Sequence, residues 1–117
     1  MMEPREVARL LADEYSVKIL SATFNAPRSA NYLSMKFDIP IAGCYRRIRN
    51  LEKLGLLAPV DKVFTKFGKW VWVYRSNLKY VNLVLQDGEM KVFFQLTDRD
   101  GSEHSGTWSI LEQRLEE

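Results

Sequence analysis

The sequence predicts an α+β fold, helical in its first half and stranded in its second. Two observations carry this. Up to Gly55 the apolar residues recur at helical spacing, and beyond it they alternate with the period of two that a strand requires. Asp87-Gly88 then stands between two apolar runs, a strong short hairpin signal.

Each element follows from its own residues. Pro4, with Glu3 and Glu6, suits a first helical turn, and Val7, Leu10 and Leu11 supply the apolar stripe of a short helix over 4–12. Asp13 is placed to cap a second helix over 14–24, with Tyr15, Ile19, Leu20 and Phe24 inward, and Asn25-Ala26-Pro27 ends it. Ser29 caps a third helix over 30–37 that buries Leu33 and Phe37. Asp38-Ile39-Pro40 makes a tight turn into a fourth helix over 40–54, which Gly55 closes. Residues 56–60 and 69–75 read as strands around a basic loop, 62–68. In the hairpin of 80–86 and 89–96, Leu85 faces Met90, Leu83 faces Val92 and Val81 faces Phe94, so all six side chains share one face. Residues 97–106 read as a polar loop and 107–116 as a last helix carrying Trp108, Leu111 and Leu115.

A chain of 117 residues, 46% of them hydrophobic, can bury one core. No apolar run is long enough to span a bilayer and no leader pattern is visible, so a cytoplasmic protein is expected. The single cysteine, Cys44, excludes an internal disulfide. Charge is divided sharply along the chain. Residues 1–80 hold fourteen Lys/Arg against seven Asp/Glu, and residues 81–117 hold three against eight. A basic body points to a polyanionic partner.

Three to four helices followed by a two-stranded ribbon are the layout of a winged helix-turn-helix, here over residues 1–77, with a β-hairpin and short helix appended over 78–117 for packing or dimerisation. In that layout helix 40–54 enters the major groove. Advancing about 100° per residue, Cys44, Ile48 and Leu51 form a buried stripe. Ala42, Arg46, Arg49 and Lys53 fall on the opposite side, flanked by Tyr45 and Asn50. Arginine matches guanine bidentately and asparagine matches adenine, so Ala42, Tyr45, Arg46, Arg49 and Asn50 are the candidate base contacts. Ser29, Arg47, Lys53, Lys62, Lys66 and Lys69 are the candidate backbone contacts, the last three at the wing. A charged, solvated helix face is the plain alternative. Ile41 either touches a thymine methyl or extends the core stripe, and we favour the core. Trp70, Trp72 and Tyr74 alternate along one strand; such a stripe can stack on single-stranded bases, but packing, here against the appended hairpin or a dimer partner, is the commoner use.

The stretch LLADEYSVKILSATFNAPRSANYLSMKFDIPIAGCYRRIRNLEKLGLL, residues 10–57, resembles the winged-helix core of ArsR-type regulators, and VWVYRSN fits the wing. The resemblance covers residues 5–77, and YRSNLKYVNLVLQDGEMKVFF looks like an archaeal subgroup. It implies operator binding as a homodimer, often in repression, with base contacts from the start of the recognition helix at Ile41, Ala42, Tyr45 and Arg46. The chain departs from the metal-sensing members, because Cys44 lies on the core stripe and His104 stands alone in the polar loop.

A two-fold dimer would place two recognition helices about one turn of DNA apart. Val7, Leu10, Leu11, Trp108, Leu111 and Leu115 are the candidate dimer contacts. No nucleophile, base or cofactor motif converges, so neither an enzyme nor a cofactor is expected, and the effector is unknown. The competing reading is a winged-helix protein-interaction module in transcription or RNA-processing machinery.

Overall fold

The computed structural model describes residues 4–97 and, for its backbone, 103–109. Among these residues the fold is α+β, with four helices and two three-stranded antiparallel sheets. The helices are α1 (Pro4–Leu11), α2 (Glu14–Ala22), α3 (Ala30–Phe37) and α4 (Ile41–Lys53). The strands are β1 (Arg28–Ser29), β2 (Leu57–Phe64), β3 (Trp70–Ser76), β4 (Leu78–Gln86), β5 (Glu89–Thr97) and β6 (Glu103–Ser109). None of the described helices is long and apolar enough to cross a membrane.

Local chemistry sets the helix ends. The Asp13 carboxylate accepts from the Ser16 amide, and the Ser29 hydroxyl accepts from the Tyr32 amide, so both helices start on side-chain caps. Thr23 closes α2 by donating its hydroxyl to the Ile19 carbonyl at 2.7 Å. Its own carbonyl then accepts from the Ser76 amide at 3.1 Å, tying the end of α2 to β3. Gly55, at φ 77°, lets the chain leave α4 through a left-handed residue and enter β2.

One core joins helices and strands. It holds Ile19 and Leu20 of α2, Ala30 and Leu33 of α3, Ile39 of the turn, Cys44, Ile48 and Leu51 of α4, and Leu56, Leu57 and Tyr74. Burying a side chain such as Leu33 or Ile48 contributes roughly 1.5–3 kcal/mol, which is how short helices of weak intrinsic stability are held. The first sheet has the order β1-β3-β2, and β1, a two-residue strand absent from the sequence reading, pairs Arg28 with Tyr74 and Ser29 with Val73. The second has the order β4-β5-β6. Asn77 links the two: its amide donates to the Leu56 carbonyl, its side chain to the Gly55 carbonyl, and its carbonyl accepts from Thr97.

The hairpin register agrees with the expected one. Leu85 pairs with Met90, Leu83 with Val92 and Val81 with Phe94 around Asp87-Gly88, both at positive φ as the tight hairpin turn requires. The segment after it differs. Residues 103–106, expected in a loop, and 107–109, expected in a helix, form β6, which places Trp108 opposite Val92 and His104 opposite Leu96. Edge pairing with β5 satisfies the backbone that a polar loop would leave to solvent. The remainder of the expected helix, with Leu111 and Leu115, lies outside the described residues.

Candidate nucleic-acid interface

The two faces of α4 have opposite fates. Cys44, Ile48 and Leu51 are fully buried, and burial pushes the Cys44 thiol pKa up. Ala42, Tyr45, Arg46, Arg49, Asn50 and Lys53 are exposed. The helix that the core stripe anchors thus presents three cations, an amide and a phenol outward on a rigid element. Ile41, expected on the core side, is exposed and belongs with this outer face; Ile39, two residues earlier in the turn, takes the core position instead.

Arg47 does not join these outward cations. Its Nε donates to Asp13 Oδ2 at 2.7 Å, its Nη2 reaches Oδ1 at 3.5 Å, and its Nη1 donates to the Gly43 carbonyl at 3.2 Å. The guanidinium also lies over the Tyr15 ring, 5.0 Å from its centroid. The expected role as a phosphate contact is therefore corrected: Arg47 is spent inside the chain, clamping α4 to the start of α2. The Arg47 hydrogen bond in turn holds the Asp13 carboxyl below the ordinary aspartate range. Gly43 belongs to the same device. A Cβ there would sit 3.1 Å from Arg47 Nη1, so a residue that weakens helices by about 1 kcal/mol relative to alanine makes room for the clamp.

The other expected contacts are dispersed. The Ser29 hydroxyl is occupied as the α3 cap. Lys62, expected in the loop, lies in β2 opposite Trp72, because the ribbon is longer than its apolar pattern shows and runs to Phe64. Lys66 stands at the turn and Lys69 just before β3, both exposed. Val7, expected at a dimer contact, is buried in the chain's own interior and is corrected on that ground. Leu10 and Leu11 are half-buried against the core.

The structure adds residues that sequence spacing did not bring forward. A groove of about 380 Å³ opens between α1 and α4, lined among others by Arg9, Arg46, Asn50 and Lys53. Arg9 adds a cation beside the α4 face, in a groove that Glu6 and Asp13 also line. Its signal in the sequence was only its place opposite the Val7–Leu10–Leu11 stripe, and packing of α1 decides the rest. Within the single chain Trp70 and Trp72 are exposed and not covered by the appended hairpin, with only Tyr74 of that stripe buried. Comparison with protein-family models, with curated proteins and with solved structures finds no match to this chain.

Proposed function

We propose that this chain is a winged helix-turn-helix transcription regulator that binds double-stranded DNA sequence-specifically, as a homodimer, in the cytoplasm. The observation that carries this reading is the division of α4. Every outward position that could read or hold DNA is exposed, while the opposite stripe is locked in the core and Arg47 is withdrawn to fix the helix. In this reading α3 and α4 are the two helices of the motif and the β2–β3 ribbon is the wing. Arg46 and Arg49 pair with guanine and Asn50 with adenine in the major groove, Tyr45 adds a hydroxyl, and Ala42 permits close approach. Lys53, Arg9, Lys66 and Lys69 neutralise phosphates, which position the protein without reading sequence. Repression is the direction that the ArsR-type resemblance implies. The reading contains no catalytic step and no cofactor.

Binding to a random-sequence duplex across a salt series tests it. A contact made by several lysines and arginines should weaken steeply as salt rises, because each neutralised phosphate releases counterions. Absence of duplex binding at low salt contradicts the reading. A protein-interaction module is the second reading, supported by Leu83 and Leu85, which are exposed on the hairpin. That reading predicts no such salt slope.

A further inference from the structure

The outer half of the β2–β3 ribbon carries an aromatic surface that the duplex reading does not use. From Val60 to Phe64 every residue of β2 is exposed, so this part of the ribbon extends beyond the core. Trp70 is 66% exposed, Phe64 60% and Phe67, in the turn, 79%. Pairing of Phe64 with Trp70 and of Lys62 with Trp72 places these four on one face. Tyr74 continues that face to the base of the ribbon, where it is buried in the same core cluster as Cys44, Ile48 and Leu51 of α4. The aromatic face is thus the α4 side of the ribbon.

Its charge identifies the occupant. Residues 57–76 contain Lys62, Lys66, Lys69 and Arg75 against one acid, Asp61. The Lys62 ammonium lies 4.7 Å from the Trp72 ring centroid and that of Lys66 5.4 Å from Phe67, so rings and cations are interleaved. A second copy packed ribbon to ribbon on this face would set like charges against each other. A partner with flat π-faces and phosphates meets both features at once. In a duplex the base faces are already stacked, so only an unpaired strand can use the rings.

We propose that the ribbon is a stacking platform for the unpaired bases of single-stranded DNA, adjoining a duplex held on α4. The duplex half rests on the function proposed above; the platform stands on the ribbon alone. Trp70 and Phe64, with centroids 5.3 Å apart and tilted by 59°, form its centre. The lysines on their flexible stems move onto the phosphates as bases replace them on the rings.

The test compares the full chain on a blunt duplex, on the same duplex with a single-stranded oligothymidine tail, and on free oligothymidine, by anisotropy and tryptophan quenching. The tail should raise affinity about tenfold for each base stacked and quench the tryptophans. Trp70→Ala should remove most of that gain, leave blunt-duplex binding unchanged and keep the wild-type melting temperature; Trp70→Phe should restore part of it. Phe67→Ala gives the same comparison from the turn. A tail that adds nothing overturns the platform and leaves the duplex reading standing. Tight, quenching binding of oligothymidine with no duplex binding supports the platform and removes the duplex reading. Loss of self-association in Trp70→Ala without change on tailed DNA would show instead that the face covers a second copy.

Discussion

In the β2–β3 ribbon of the first sheet Phe64, Trp70 and Trp72 are exposed on one face beside Lys62, whereas on β4 of the second Leu83 and Leu85 are exposed on a face shared with Val81, Met90, Phe94 and the buried Val92, with no charged residue among these six. Both sheets have three antiparallel strands and both hang on the same helical body, the first through Leu57 and Tyr74, the second through Leu78 and Leu96. What differs is the company the exposed apolar side chains keep. Interleaved cations suit a polyanion, and an uncharged aliphatic face suits another protein surface. The proposed division of labour follows, with DNA on α4 and the first sheet, and self-association through the second.

The largest effect should separate the sheets by the same substitution. Leu57→Ala removes a fully buried β2 side chain and should cost roughly 2–5 kcal/mol in urea unfolding. Leu85→Ala, exposed by 72%, should cost less than about 0.5 kcal/mol at high dilution, yet weaken self-association in sedimentation. Equal costs at every concentration would break the comparison, since the hairpin face would then be covered by the chain itself.

Next in size is Arg46→Ala. It removes a proposed bidentate guanine contact worth roughly 1–3 kcal/mol of discrimination, so preference at one base pair in each half-site should flatten in competition binding. The melting temperature should stay at the wild-type value because Arg46 is exposed.

Asp13→Asn comes third. The amide can still cap α2 but loses the charge-assisted bond to Arg47, at a cost of roughly 1–2 kcal/mol at neutral pH, moderated because the aspartate is partly solvated. The folded-state pKa of Asp13 is lowered, so its contribution is present above the unfolded-state value and lost as pH falls through the folded one. Urea midpoints measured from neutral to acidic pH should therefore converge for wild type and variant at the acid end. A constant gap would show that the ion pair is not the source of the difference.

These residues also mark what was legible in the sequence. Signals confined to a few neighbours were read correctly: the caps at Asp13 and Ser29, the stop at Gly55, the turn at Asp87-Gly88 and the hairpin register that follows from it. Features made by distant partners were not. Arg47 and Asp13 are 34 residues apart, and nothing near Arg47 reveals the bond. Strand β1 exists only because β3 comes to lie beside it. Strand β6 was misread because Trp108 and its neighbours fit a helical stripe locally, while pairing with β5 is decided by an edge that only the folded hairpin offers. Exposure of Trp70 and Trp72 in the single chain was not legible for a like reason: alternation places them on one face but says nothing of what covers it.

The smallest effect belongs to the wing. Lys66→Ala should weaken binding to every duplex alike and lower the salt slope by about one unit, leaving sequence preference unchanged. A change in preference would move base readout to the ribbon and away from α4.

The central claim, that the outer face of α4 reads DNA as part of a two-fold dimer, is tested most directly by selecting bound sequences from a random duplex library with the full chain. The account predicts enrichment of an inverted repeat with half-site centres about 34 Å apart, one turn of DNA. Retention of duplexes without any enriched sequence, or no retention at all, would contradict it.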